Sequence, residues 1–255
     1  MDLIAPLSGF GVGVVVGLSG VGGGSLMTPL LLSVFKLNPA VAIGTDLCFA
    51  ALTKSAGALS HHRATHVDWR ITGWLLAGSL PAALATLAWM HASELTKAGA
   101  GVLSYFLGGA LLLTALIVLY RKAWAALGLH LERWVTPARR APLTLASGAL
   151  LGTLVSLSSI GAGAIGAVLI ILLHPRLTPQ RVVGTDIAHA VPLTLVAGSG
   201  YAALGLVDWS LLAALLLGSV PGIWLGARLT RRLPQAVVRT LLCVSLVTAA
   251  LKVMA

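Results

Sequence analysis

The chain repeats itself. SGFGVGVVVGLSGVGGG at 8–24 aligns with SGALLGTLVSLSSIGAG at 147–163, and LNPAVAIGTDL at 37–47 aligns with LTPQRVVGTDI at 177–187. VDW at 67–69 returns at 207–209, and GSLP at 78–81 returns as GSVP at 218–221. The blocks keep their order, at an offset of 139 for the first and 140 for the others, so a single-residue indel separates two homologous halves. A duplication on this scale restricts the fold to two copies of one structural plan. They cover 1–120 and 141–255, and 121–140 (RKAWAALGLHLERWVTPARR) joins them as the longest and most charged connection.

The medium in which those copies fold follows from composition. Of the 255 residues 58% are hydrophobic and 9% charged, against about 25% charged in soluble domains. Apolar stretches run over 3–35, 40–60, 69–90 and 98–120 in the first half, and over 143–173, 179–203, 209–228 and 235–254 in the second. These lengths place nearly the whole chain in a bilayer. The start, MDLIAPLSGF, lacks the basic region of a cleaved signal peptide. A formal net charge of +10 would point to nucleic acid in a soluble protein. Here the basic residues sit in short loops, which reads as membrane topology and no nucleic-acid partner. Cys48 and Cys243 lie in apolar segments without metal-ligand spacing.

The first stretch of each half is unlike the rest. Some 33 residues at 1.5 Å rise measure roughly 50 Å, too long for a hydrocarbon core of about 30 Å. Its centre is LSGVGGGSLMTP at 18–29, and each glycine there costs a helix roughly 1 kcal/mol relative to alanine. The segment is therefore a broken span or a re-entrant hairpin of two half-helices. Charge decides between them. A hairpin leaves three crossings per half and inverts the halves. The loops carrying Arg63, the 121–140 cluster, Arg176 with Arg181, and Arg231 with Arg232 then share one face, opposite Lys36, Lys97 and Lys252. The positive-inside rule favours this arrangement, with a cytoplasmic linker and both termini outside. The fold class expected is an all-α polytopic membrane protein of two inverted-topology repeats, each a re-entrant or broken hairpin plus three transmembrane helices. Asn38-Pro39 and Thr178-Pro179 read as helix starts, and Asp68-Trp69 and Asp208-Trp209 as caps followed by interfacial aromatics. Pro81 and Pro221 are expected to kink equivalent helices.

Inverted repeats with interrupted helices are the recurring plan of secondary transporters, which hold substrate near the midplane where the repeats meet. The interruptions 19–24 and 158–163 would meet there, with free N–H groups and positive dipole ends suited to an anion. The candidate binding residues are Ser19, Gly22, Gly23, Gly24 and Ser25 in the first half, and Ser158, Ser159, Gly161 and Gly163 in the second. Gly9, Gly13 and Gly17 read instead as packing residues. Each GTD block adds a threonine, Thr45 or Thr185, and an intramembrane carboxylate, Asp46 or Asp186. Such carboxylates are functional candidates, as coupling groups or as acceptors for freed backbone N–H groups. The halves diverge at Lys54, where the second has Thr194, and at His189, where the first has Phe49. Lys54 is a counter-charge for an anion or a partner for Asp46. His189 is a proton shuttle or a partner for Asp186. His61, His62 and His66 read as a solvated loop, so no metal or other cofactor is expected. Gly17-Leu18-Ser19-Gly20 matches the GxSG of rhomboid-type intramembrane serine proteases, but the match is four residues long. Its twin at Ser158 lacks both glycines, and a non-enzyme is expected.

Taken together, GLSGVGGGSLMTP, AIGTDL, HVDWR and GSLP, with LSSIGAG, VVGTDI, VDW and GSVP, resemble the TauE/SafE family of sulfite-exporter-like membrane proteins over nearly the whole chain. The resemblance implies a multi-pass transporter in a bacterial inner membrane that moves small sulfur-containing anions such as sulfite or organosulfonates, with export the expected direction. A passive anion channel and uptake of thiosulfate or sulfate are the neighbouring readings. The implied partners are the anionic substrate and the lipid bilayer, and a homodimer is left open. Ala162 between Gly161 and Gly163 departs from the triple glycine, which favours one asymmetric site over two equal ones.

Overall fold

The computed structural model describes residues 3–19, 24–93, 100–229 and 235–254. Among the described residues the chain is helical and without strands. The first half holds α1 (Ile4–Ser19), α2 (Gly24–Ser33), α3 (Pro39–Arg63), α4 (Trp69–Ala92) and α5 (Ala100–Leu119). The linker forms α6 (Arg121–Leu131), and the second half holds α7 (Pro137–Ser158), α8 (Ala164–Leu173), α9 (Pro179–Ala203), α10 (Trp209–Leu229) and α11 (Gln235–Met254). Helices α4, α7, α9 and α10 are long and apolar enough to cross a membrane, and α5 joins them if it and the sharply bent α6 count as one span. Helix α3 is 25 residues long but carries Asp46 and Lys54 through its middle. The chain is an all-α polytopic membrane protein.

The helix starts follow local chemistry. The Asn38 carboxamide accepts the Ala40 N–H at 3.0 Å, and the Thr178 hydroxyl accepts the Arg181 N–H at 3.4 Å. Asp68 and Asp208 accept the N–H groups of Ile71 and Leu211 at 3.2 and 2.9 Å, the bonds expected of N-caps. Trp69 and Trp209 follow them with about 60% of their surface exposed, as aromatic belts require. Helices α4 and α10 run on through Pro81 and Pro221.

Each long first segment is two helices, and its long arm packs on the other half. Gly9 lies against Leu215 and Gly13 against Ser219, so α1 and α10 run parallel with their backbones in contact. Gly148 lies against Leu75 and Gly152 against Ser79, so α7 and α4 form the matching pair. A Cβ at Gly148 would run into the Leu75 carbonyl oxygen. These small-residue seams supply the close packing that holds helices together in lipid. Helices α3 and α9 cross the centre of the molecule antiparallel: Cys48 meets Gly198 and Gly57 meets Ile187. Helices α5 and α11 are antiparallel too, with Gly108 beside Met254 and the Cys243 thiol donating to the Ala115 carbonyl at 3.7 Å.

Three of the basic connections converge at one end. Glu132 pairs with Arg140 at 3.1 Å and Arg176 at 2.8 Å, and Arg181 pairs with Asp68 at 3.5 Å. These bonds tie together 61–68, 121–140 and 174–181. Lys97, Arg231 and Arg232 lie outside the described residues.

Candidate functional site

The second helix break is built from unusual backbone. Helix α7 ends at Ser158, and Ser159 adopts the left-handed region at φ 57°. Gly161 and Gly163 follow at φ 130° and 137°, values that exclude most side chains. Helix α8 then starts at Ala164. The Ser158 hydroxyl donates to the Leu154 carbonyl at 2.7 Å and accepts the Ile160 N–H at 3.2 Å, which closes the turn. The turn is buried throughout. Tyr201 at the far end of α9 donates its hydroxyl to the Ser156 carbonyl at 2.8 Å, fixing the last turn of α7.

Three ionisable side chains surround this turn. Lys54 on α3 donates from Nζ to the Ala162 carbonyl at 2.7 Å. Asp46, two turns earlier on α3, accepts the hydroxyl proton of Thr28 on α2. Its carboxylate also lies beside the Ser159 hydroxyl. Asp186 on α9 approaches the Gly163 amide and packs against Gly166. The Lys54 ammonium acts electrostatically on both carboxylates. All three groups are buried. Charges in such surroundings are costly unless paired or hydrogen-bonded.

Several buried polar atoms in this half of the site and near it find no hydrogen-bond partner among the described residues. Asp46 Oδ1, Ser156 Oγ, Ser159 Oγ, Asp186 Oδ1 and His189 Nδ1 are all buried without a hydrogen bond. Buried polar atoms in native proteins are nearly always satisfied, so these atoms stand out from the rest of the buried interior.

The other candidates take different positions. His189 shares a 2.9 Å hydrogen bond between Nε2 and Ser79 Oγ on α4, so its observed partner is Ser79 rather than Asp186. The Thr45 hydroxyl accepts the Asp208 N–H and the Thr185 hydroxyl accepts the Asp68 N–H, both at 3.0 Å. Each GTD threonine thus joins the start of one half's helix to the VDW cap of the other half. Gly24 opens α2. Gly22 and Gly23 lie outside the described residues, as do the side chains of Ser19 and Ser25. Thr28, Ser79 and Ser156 were absent from the sequence reading. Thr28 and Ser79 have a signal there: Thr28 stands one turn after the glycines where the second half has Ala167, and Ser79 lies in the repeated GSLP block. Among the described residues no group of three or more His, Cys, Asp or Glu is placed to hold a metal.

Comparison with known proteins gives one consistent picture. The family described as "Sulfite exporter TauE/SafE" matches residues 5–253. The chain is 36% identical over 241 residues to "Probable membrane transporter protein YjnA" of Bacillus subtilis (strain 168), covering 91% of each chain. It is 31% identical over 236 residues to "Probable membrane transporter protein YdhB" of the same organism, again covering 91% of each. A "Probable membrane transporter protein" of Xylella fastidiosa (strain 9a5c) is 30% identical over 227 residues, 88% of this chain and 83% of that one. No solved structure matches significantly.

Proposed function

We propose that this chain, which belongs to the sulfite exporter TauE/SafE family, carries a small sulfur-containing anion bound at the turn 159–163. The family and its relatives make the chain a multi-pass membrane transporter rather than an enzyme. The cargo class we infer is sulfite or an organosulfonate, the membrane a bacterial inner membrane, and the net direction export.

One observation carries the reading: the orphaned oxygens of Asp46, Asp186 and Ser159 lie around the only buried ammonium among the described residues, at an interrupted helix. In the bound state the Ser156 and Ser159 hydroxyls and the Lys54 ammonium donate to the oxyanion. The amide groups at the start of α8 add their dipole end. The carboxylates of Asp46 and Asp186 face the anion indirectly, because direct contact would be repulsive, and serve as coupling groups.

We read the two halves as inverted repeats. Support comes from the antiparallel course of α3 against α9 and from the Thr45–Asp208 and Thr185–Asp68 bonds. Each bond joins the starts of helices that only an inverted arrangement puts on one face. The basic connections are then cytoplasmic and the termini periplasmic. Because α1 packs on α10 and α7 on α4, the bodies that move during alternating access are these cross-half pairs with their attached arms, rather than 1–120 against 141–255.

Counterflow in proteoliposomes tests the proposal. Vesicles preloaded with sulfite, methanesulfonate, thiosulfate or sulfate are offered the labelled anion outside. The expected result is transient accumulation of labelled sulfite or sulfonate above equilibrium, which a passive channel does not produce. Absence of exchange for every anion would overturn the cargo assignment.

A further inference from the structure

Charge at the turn is unbalanced. Asp46 and Asp186 bring two negative charges and Lys54 one positive, all buried among the described residues. Among the described residues the groups facing this trio are otherwise neutral donors: Thr28 from α2 and Ser159 from the second hairpin, both beside Asp46. His189 on α9 is the one further titratable group among the described residues, and its Nε2 is engaged with Ser79. Among the described residues each carboxylate has one oxygen, Oδ1, buried with no hydrogen-bond partner. An anion entering such a place adds a second uncompensated negative charge beside two orphaned acceptors. A proton is the cation that satisfies a lone carboxylate oxygen without a cage of further ligands.

We propose that the anion is carried together with one proton held by the Asp46/Asp186 pair, and that the cargo is a monoanion. This rests on the anion reading of the turn. The empty site is neutral with one proton on the pair, and the loaded site is neutral with both carboxylates protonated, each donating its proton toward an oxygen. Two carboxylates hold no third proton, so a dianion leaves the loaded site charged. Hydrogensulfite and simple monosulfonates are accepted on this account, and sulfate and thiosulfate are rejected. Transport is electroneutral, and the combined gradients of anion and proton set its direction, rather than the membrane voltage.

The test uses the full chain in proteoliposomes, with hydrogensulfite in weakly acidic buffer and methanesulfonate as a strong-acid monoanion. Protein-free vesicles correct for leak of the neutral acid. Counterflow of either probe is established first, and its absence would remove the anion reading itself. With counterflow present, a lumenal pH dye and a potassium–valinomycin clamp are added. The expected result is about one proton moved per anion, accumulation that changes less than about two-fold under a 100 mV clamp, and no exchange of sulfate. An uncompensated monoanion would shift its equilibrium accumulation about 50-fold under that voltage. Such a shift without proton movement, or exchange of sulfate as fast as of hydrogensulfite, would overturn the proposal. In Asp46→Asn and Asp186→Asn proteins that insert and elute as folded material, protons per anion are expected to fall well below one. The wild-type stoichiometry decides the matter if neither variant folds.

Discussion

Replacing Lys54 with methionine removes one charge and keeps most of the side-chain volume. The structure gives two reasons for a large effect. The Nζ donates to the Ala162 carbonyl at 2.7 Å, a bond between a charged donor and the backbone of the turn; such bonds contribute about 1.5–3 kcal/mol. It also offsets Asp46 and Asp186, and among the described residues no other cation acts on either. Removing one partner of a buried charge pair costs about 3–5 kcal/mol in all, since the remaining charge is left uncompensated. For a chain of this size that corresponds to a fall in melting temperature on the order of 10 °C. Thermal unfolding in detergent of Lys54→Met, Asp186→Asn and the double variant measures it. The double variant is expected to be more stable than Lys54→Met alone, because one stranded carboxylate is gone. Counterflow is expected to vanish in Lys54→Met even below its melting temperature. A Lys54→Met protein within about 1 kcal/mol of wild type, with additive behaviour in the double variant, would refute the reasoning.

Further outcomes follow from the packing and the caps. Thr45→Val and Thr185→Val each strand one helix-start N–H, so both should lower stability by about 1 kcal/mol, by similar amounts in thermal unfolding. Gly148→Leu drives a side chain into the Leu75 carbonyl and should abolish the folded fraction in size-exclusion profiles, whereas Gly109→Ala, which meets open space, should leave the profile intact. Asp208, which caps α10 just before its apolar stretch, accepts from the Leu211 N–H and the Ser210 hydroxyl, and these bonds hold its carboxyl below the ordinary carboxylate value. The folded state then binds fewer protons than the unfolded chain at mildly acid pH. Its stabilisation is complete above the unfolded value of about 3.9 and is lost as pH falls through the lowered folded value. Melting curves of Asp208→Asn should show less acid sensitivity than wild type.

Local chemistry was legible in the sequence, and distant partnership was not. Asn38, Asp68, Thr178 and Asp208 act on amides two or three residues away, so sequence spacing alone specifies their bonds. The break at 158–163 was legible for the same reason, through the glycines that its positive φ angles require. The partner of Lys54 lies 108 residues away and is a backbone carbonyl, a group every residue possesses, so no side-chain pattern announces it. His189 and Asp186 stand one turn apart on α9, which makes their pairing a natural expectation; packing of α4 on α9 offers Ser79 instead. Thr45 and Thr185 drew attention beside their aspartates. On a helix, adjacent residues point about 100° apart, and the threonines reach the opposite half's caps while the aspartates turn toward the hairpins.

The central claim is that the turn 159–163 holds the anion, and Ser159 tests it with least collateral change. Among the described residues its hydroxyl makes no geometric hydrogen bond and only lies beside Asp46, so Ser159→Ala costs the fold little. Equilibrium binding of labelled sulfite to the purified wild-type and Ser159→Ala proteins, with melting temperatures taken in parallel, is the direct measurement. The account predicts an unchanged melting temperature and binding weaker by about 10- to 100-fold, as loss of a hydrogen bond to a charged ligand requires. Equal affinity of the two proteins for sulfite would contradict it.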